Sequence, residues 1–275
     1  MSAMRKALQA FMGILLAAVT AAAVGTWLFP LERDGIFTVG PLNISVTGIG
    51  AGLSLISLLA FANGWIGVRK RNGSAGGAGL IWDGLGFGLL PSLAVWKCFE
   101  QMTVLGSGNA VPEGLAQIPW ITEGGNWQPC RIELVLALAL FACLVIWLML
   151  RRSALPENGD LMGISCAMWC AVRLVTDGFR MEQLPLMGNA RISGWLFAGI
   201  MLIVLILWSG RAMRMHQKTG YMLACWPVLL AAVAVMVLTR NQIIRTGNAV
   251  ADMIMICCAA LLGLKAVLCM GRVTR

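Results

Sequence analysis

Apolar residues fill the chain in runs of about 18 to 22, separated by short polar stretches that hold most of the charge. As a helix rising 1.5 Å per residue, each run is long enough to cross the ~30 Å hydrocarbon core of a bilayer. The runs predict eight transmembrane helices, at approximately 8–29, 42–62, 77–96, 132–150, 161–179, 194–212, 221–239 and 250–270, and so an all-α polytopic membrane protein. With 59% hydrophobic and 12% charged residues among 275, the composition excludes an ordinary soluble domain. One helical bundle accounts for the length.

Charge then orients the bundle. The formal net charge of +9 does not form a polybasic arm or a basic helix face of the kind that binds nucleic acid, so no nucleic-acid partner is expected. The cations lie in alternate loops instead: Arg5 and Lys6; Arg69, Lys70 and Arg71; Arg151 and Arg152; Arg211, Arg214 and Lys218; Arg272 and Arg275. The positive-inside rule puts these loops, and both termini, on the cytoplasmic side. The first 25 residues have the basic start, apolar middle and small-residue end of a secretory signal. They read either as a retained anchor or as a cleavable leader, and the orientation of the later spans is the same in both cases.

The nine cysteines have no zinc-ligand spacing, and most lie within spans as small apolar filler. Cys98 and Cys130 bracket the long outer connection and are candidates for a disulfide. The single histidine, His216, sits in a basic cytoplasmic loop, which excludes a histidine metal site or a Ser-His-Asp triad on the outer side. No cofactor is expected.

Two stretches depart from plain apolar filler. The third span carries Gly77, Gly79, Gly84, Gly86 and Gly88 around Asp83. Small residues at this spacing let helices approach closely, and an acid at that depth needs a partner or a role. The fifth span ends in WCAVRLVTDGFR, where Arg173, Asp177 and Arg180 are spaced i, i+4, i+7 and so share one helix face. Arg173 lies ~18 Å along the helix from Leu161, in the outer half of the bilayer. Two readings fit: an internal Arg173–Asp177 ion pair with Arg180 snorkelling to headgroups, or two guanidiniums, oriented by Asp177, that form a fork for a phosphate. The long connection at 97–131 lies on the same outer side.

The stretch GDLMGISCAMWCAVRLVTDGFR resembles the signature of the prolipoprotein diacylglyceryl transferase family, with Gly159, Gly163, Arg173, Asp177 and Arg180 in register. GPLNISVTG at 40–48, DGLGFGLLPSLAVWK, QPCRIELVLAL and SGWLFAGIMLIV follow in the family's order, so the resemblance covers roughly residues 36–212. The departures are as specific. The family's helix pair with a His-Gly-Gly motif is missing. Lys97 stands where the family has arginine, and Glu100 where an asparagine follows. Thr47 and Trp169 replace tyrosines, and Gln128 replaces a histidine. Gly108 holds the spacing of the glycine that closes the motif, and Glu133 lies one residue before the family's glutamate.

The resemblance implies three parts: an N-terminal anchor or signal-like span at 1–35, a transferase-like core at 36–219, and an additional hairpin at 220–275. It further implies a multi-pass protein of the bacterial cytoplasmic (inner) membrane that moves diacylglyceryl from phosphatidylglycerol to the cysteine thiol of a lipobox-bearing preprolipoprotein. Arg173, Arg180, Lys97 and Gly108 would bind the phosphate, and Asp177 would orient the arginines. Arg173, Lys97, Glu100 and Glu133 would carry the chemistry, with Glu100 or Glu133 as the base. Cations suit the leaving phosphate, and the thiol must become a thiolate to attack. The alternative is a relative that binds phospholipid, or acts as a scaffold, without catalysis. A transporter would show repeats with paired ionisable groups near the midplane, and no repeat is visible.

Overall fold

The computed structural model describes residues 3–24, 35–39, 42–72, 77–103, 108–111, 119–150, 159–179, 186–187, 190–214, 219–240 and 249–273. Helix α1 (Ala3–Ala23) is followed by an antiparallel hairpin of β1 (Gly35–Val39) and β2 (Leu42–Ser45), then by α2 (Val46–Arg71) and α3 (Ala78–Glu100). A second small hairpin, β3 (Thr122–Glu123) with β4 (Asn126–Trp127), leads into α4 (Pro129–Leu150). Then come α5 (Asp160–Thr176), a 3₁₀ turn at Asp177–Phe179, the β5 (Leu186–Met187) and β6 (Ala190–Arg191) hairpin, and α6 (Ile192–Arg214). The described residues end with α7 (Thr219–Arg240) and α8 (Ala249–Val273).

Each expected span thus has its helix. Four stretches, Val46–Arg71, Ala78–Glu100, Pro129–Leu150 and Ala251–Cys269, are long and apolar enough to cross a membrane; Phe11–Ala23, Trp195–Arg211 and Ala224–Met236 are shorter apolar segments. Large apolar side chains face outward along several helices, among them Leu138, Ile146 and Leu150 on α4, Leu207 on α6 and Leu261 on α8. An outer surface of this kind suits lipid rather than water.

α5 is the exception. It packs against α3, α4, α6 and α8 and is buried almost all round, through Leu161, Ile164, Ala167, Cys170 and Leu174. A helix enclosed on every side can carry polar groups toward its neighbours instead of lipid.

The glycines of α3 make this enclosure possible. A Cβ on Gly88 would lie 2.6 Å from the Leu58 carbonyl of α2, and one on Gly86 would overlap the backbone of Leu161 and Met162 on α5. The close-approach reading holds for Gly84, Gly86 and Gly88, at both faces of α3, and not for Gly77, where a Cβ would meet nothing within 4 Å. α1 meets α2 in the same way, where Gly52 faces the Ala17 carbonyl at 2.8 Å from a Cβ position.

Asp83 finds its role at the α3–α5 crossing. Its Oδ1 accepts the Leu161 N–H at 2.9 Å, capping an α5 N-terminus whose own N-cap residue, Gly159, has no side chain to do so. Beside it, Arg211 of α6 donates to Asp160 at 2.5 Å. Asp83→Ala leaves that amide without its acceptor and is expected to cost roughly 1–3 kcal/mol. Asp83→Asn keeps an acceptor and should recover part of the loss. Unfolding midpoints of the two variants in detergent check this.

Candidate functional site

The C-terminal ends of α3 and α5 and the N-terminal end of α4 converge on one carboxylate. Pro129 begins α4, where a missing N–H costs nothing, and one turn later Glu133 projects inward with 0% exposure. Its Oε1 accepts Arg173 Nη1 of α5 at 2.6 Å and Thr176 Oγ1 at 2.6 Å. Its Oε2 meets Lys97 Nζ of α3 at 2.8 Å, and the same ammonium pairs with Glu100 one turn along its own helix.

Lys97, Glu100, Glu133 and Arg173 are all buried, and their formal charges sum to zero. Neutrality is what permits the cluster at this depth, since one unpaired charge there costs several kcal/mol. Aromatic rings complete the surroundings: Lys97 Nζ lies 5.9 Å from the Trp169 ring centre, and the Arg173 guanidinium lies 5.1 Å from that of Phe197 on α6, both within cation–π range.

The connection between α3 and α4 is stitched to the end of α5 beside this cluster. Gly108 N–H donates to the Trp127 carbonyl at 2.8 Å, Trp127 N–H to that of Asn109 at 2.9 Å, and Asn109 N–H to that of Phe179 at 2.8 Å. Trp127 and Phe179 also meet as rings, with centres 5.0 Å apart. A Cβ at Gly108 would overlap the Phe179 carbonyl and lie 2.6 Å from that of Trp127. Gly108 is thus a point of close backbone approach, and its amide is committed to Trp127.

Several expectations change. The internal Arg173–Asp177 ion pair is overturned: Arg173 ion-pairs across helices with Glu133. Asp177 keeps helical backbone geometry at the end of α5 and donates its N–H to the Arg173 carbonyl, so it stays on the Arg173 side of the helix although a 3₁₀ turn begins there. Asp177 is buried at 1% exposure in that turn, and Arg180 falls outside the described residues. Cys98 and Cys130 are not joined as a disulfide. The one-residue offset at Glu133 does not remove it from the site, since Glu133 is the residue turned inward.

Neither a family model nor a curated protein nor a solved structure matches this chain. Chemical reading of the site therefore rests on its own geometry. Arg173 contacts Glu133 through Nη1, and its remaining guanidinium N–H groups make no hydrogen bond to the protein among the described residues. Lys97 spends two donors on Glu100 and Glu133 and retains a third. The cluster is thus a fixed pair of cations with donors in reserve, suited to an anion that arrives without displacing the whole network.

Sequence reasoning missed Thr176 and Phe197. Thr176 follows Arg173 by three residues and so shares its helix face, which was a usable signal. Phe197 looks like any other apolar residue of its span, and nothing in the chain marks it as the ring beside Arg173.

Proposed function

We propose that this chain is an eight-span protein of the bacterial inner membrane, with both termini cytoplasmic, that acts as a divergent diacylglyceryl transferase of the prolipoprotein type. α1 serves as its retained anchor, a reading supported by the close fit of Gly52 against Ala17. The phosphate of phosphatidylglycerol is received by the reserve donors of Arg173 and Lys97 near the outer end of the bundle. A lipobox cysteine gives its thiol proton to a carboxylate, and the thiolate attacks the glycerol carbon that bears the phosphate ester. An S–C bond forms, the C–O bond breaks, and glycerol phosphate leaves with the bonding electrons, its charge held by the two cations.

The observation that carries this reading is the convergence itself. Lys97, Glu100, Glu133 and Arg173, drawn from three helices and singled out by the resemblance, form one buried network around Glu133. Glu100 and Glu133 are the two carboxylates of the network, and either is placed to take the thiol proton.

One observation favours the alternative, a relative that binds phospholipid without transfer: both carboxylates of the network are ion-paired. Incubating the purified protein with phosphatidylglycerol and a lipobox peptide separates the two. A peptide mass increase of one diacylglyceryl group, lost in Arg173→Gln and reduced in Arg173→Lys, is the expected result. No mass increase with the wild-type protein would overturn the transferase, and Arg173-dependent retention of phosphatidylglycerol in that case would establish the binding relative. Size-exclusion profiles of both variants separate lost chemistry from lost folding.

A further inference from the structure

The segment that carries the β3–β4 hairpin departs from ordinary turn chemistry at one residue. Three of its positions take a positive φ: Gly124 at 58°, Gly125 at 79° and Trp120 at 76°. Glycine adopts that conformation without penalty. A bulky side chain rarely does, and Trp120 is the only non-glycine to do so among the described residues. Strain of this kind persists only where the surrounding structure enforces it, and it points to a use for the residue that bears it.

The enforcement comes from α4. Arg131, in the first turn, donates from Nη1 to the Trp120 carbonyl at 3.3 Å and ion-pairs through Nη2 with Glu123. Gln128 N–H closes the segment by donating to the Ile121 carbonyl at 2.8 Å. The Trp120 ring itself is left out of the fold. It is 47% exposed, and among the described residues it meets no other ring and its Nε1 makes no hydrogen bond.

The position of Arg131 on its helix identifies what surrounds that ring. At about 100° per residue, Val135, Leu138 and Ala142 return to within about 40° of Arg131, and all three are exposed. Glu133 lies about 200° round from Arg131 and is buried in the bundle. Because α4 is long and apolar enough to cross a membrane, its outward stripe faces hydrocarbon. Arg131 heads that stripe, ~6 Å of helix rise before Val135. Trp120 is therefore held over the lipid-facing side of α4, where the apolar stripe gives way to the charges of Arg131 and Glu123. Tryptophan suits such a boundary, since its ring takes apolar contact while its N–H reaches polar acceptors.

We propose that residues 119–127 form a membrane-interface anchor, in which the Trp120 ring enters the headgroup and glycerol-ester layer beside α4 and Nε1 donates to lipid oxygens. The anchor reaches the Glu133 network through the same segment, because Trp127 is tied to Gly108, Asn109 and Phe179. The connection beside the network is thus fastened to protein at Trp127 and to lipid at Trp120. This holds in either leaflet and does not depend on the transferase reading.

The full-length protein, labelled with fluorotryptophan, is placed in nanodiscs of phosphatidylglycerol and phosphatidylcholine, and the fluorine resonance missing from Trp120→Phe identifies Trp120. A nitroxide on the acyl chain just below the ester should abolish that resonance, while a gadolinium chelate in the water leaves most of its intensity. Arg131→Gln releases the Trp120 carbonyl and should reverse the order, the chelate now removing more intensity than the nitroxide. In the wild type, loss to the chelate and not to the nitroxide would put the ring in water and overturn the anchor. Insensitivity to both probes would place the ring against protein, such as a second copy of this chain, and overturn it equally. An unchanged order in Arg131→Gln would overturn the role of Arg131 in holding the ring.

Discussion

Glu133→Leu is expected to destabilise the protein by roughly 3–5 kcal/mol, and the double variant Glu133→Leu/Arg173→Leu to recover much of that loss. The argument is one of charge pairing. With Glu133 gone, Lys97 and Arg173 share the single carboxylate of Glu100, and one buried cation lacks a counter-charge. Removing Arg173 as well restores balance, because the remaining Lys97 and Glu100 are already bonded to each other on adjacent turns of α3. The alternative double variant, Glu133→Leu/Lys97→Leu, is equally neutral but leaves Arg173 and Glu100, which have no bond between them. It should recover less. Denaturant midpoints in one detergent for the four variants give the coupling energies directly. Equal recovery in the two double variants would mean that overall neutrality, rather than the particular pairs, sustains the network.

The network also shows what is legible from the chain alone. Arg173 announces itself, because an arginine inside an apolar run is expensive and demands a partner. Which partner it takes depends on how helices cross. Asp177, four residues on, is the local choice and stays on the same side of α5, yet Glu133, forty residues away, takes the bond. The same limit applies to Asp83. Its need for a partner was clear, but the partner is a backbone amide of another helix, and every residue has one. The spans were legible because apolar runs and positive loops are local patterns. Gly86 and Gly88 were legible as contact residues by size, and only their neighbours had to come from the structure. Thr176 marks the middle ground, visible by its spacing from Arg173 and without meaning until Glu133 is beside it.

Gly86→Leu should have the larger effect on the assembled bundle, by separating α3 from α5. A Cβ at this position falls on the backbone of Leu161 and Met162, so nothing on the α5 side can swing away to make room, as a side-chain tip would. Overpacking typically costs about 1–3 kcal/mol when side chains can shift, and an obstacle made of backbone puts this case at or above that range. The displacement does not stay local. Eleven residues at about 100° each return to nearly the same face, so Gly86 and Lys97 both point toward α5, with buried Leu90 between them. Pushing α3 outward at Gly86 therefore draws Asp83 from the Leu161 amide and Lys97 from Glu133 together. The milder Gly86→Ala is expected to yield folded protein with a lowered unfolding midpoint and weakened Arg173-dependent retention of phosphatidylglycerol, while Gly86→Leu fails to accumulate as a monodisperse species. Gly67→Leu is the control, since a Cβ at Gly67 meets nothing within 4 Å and the residue is exposed. A Gly86→Leu protein as stable as that control would show that α3 and α5 do not cross at Gly86, and the shared position of Lys97, Glu133 and Arg173 would lose its support.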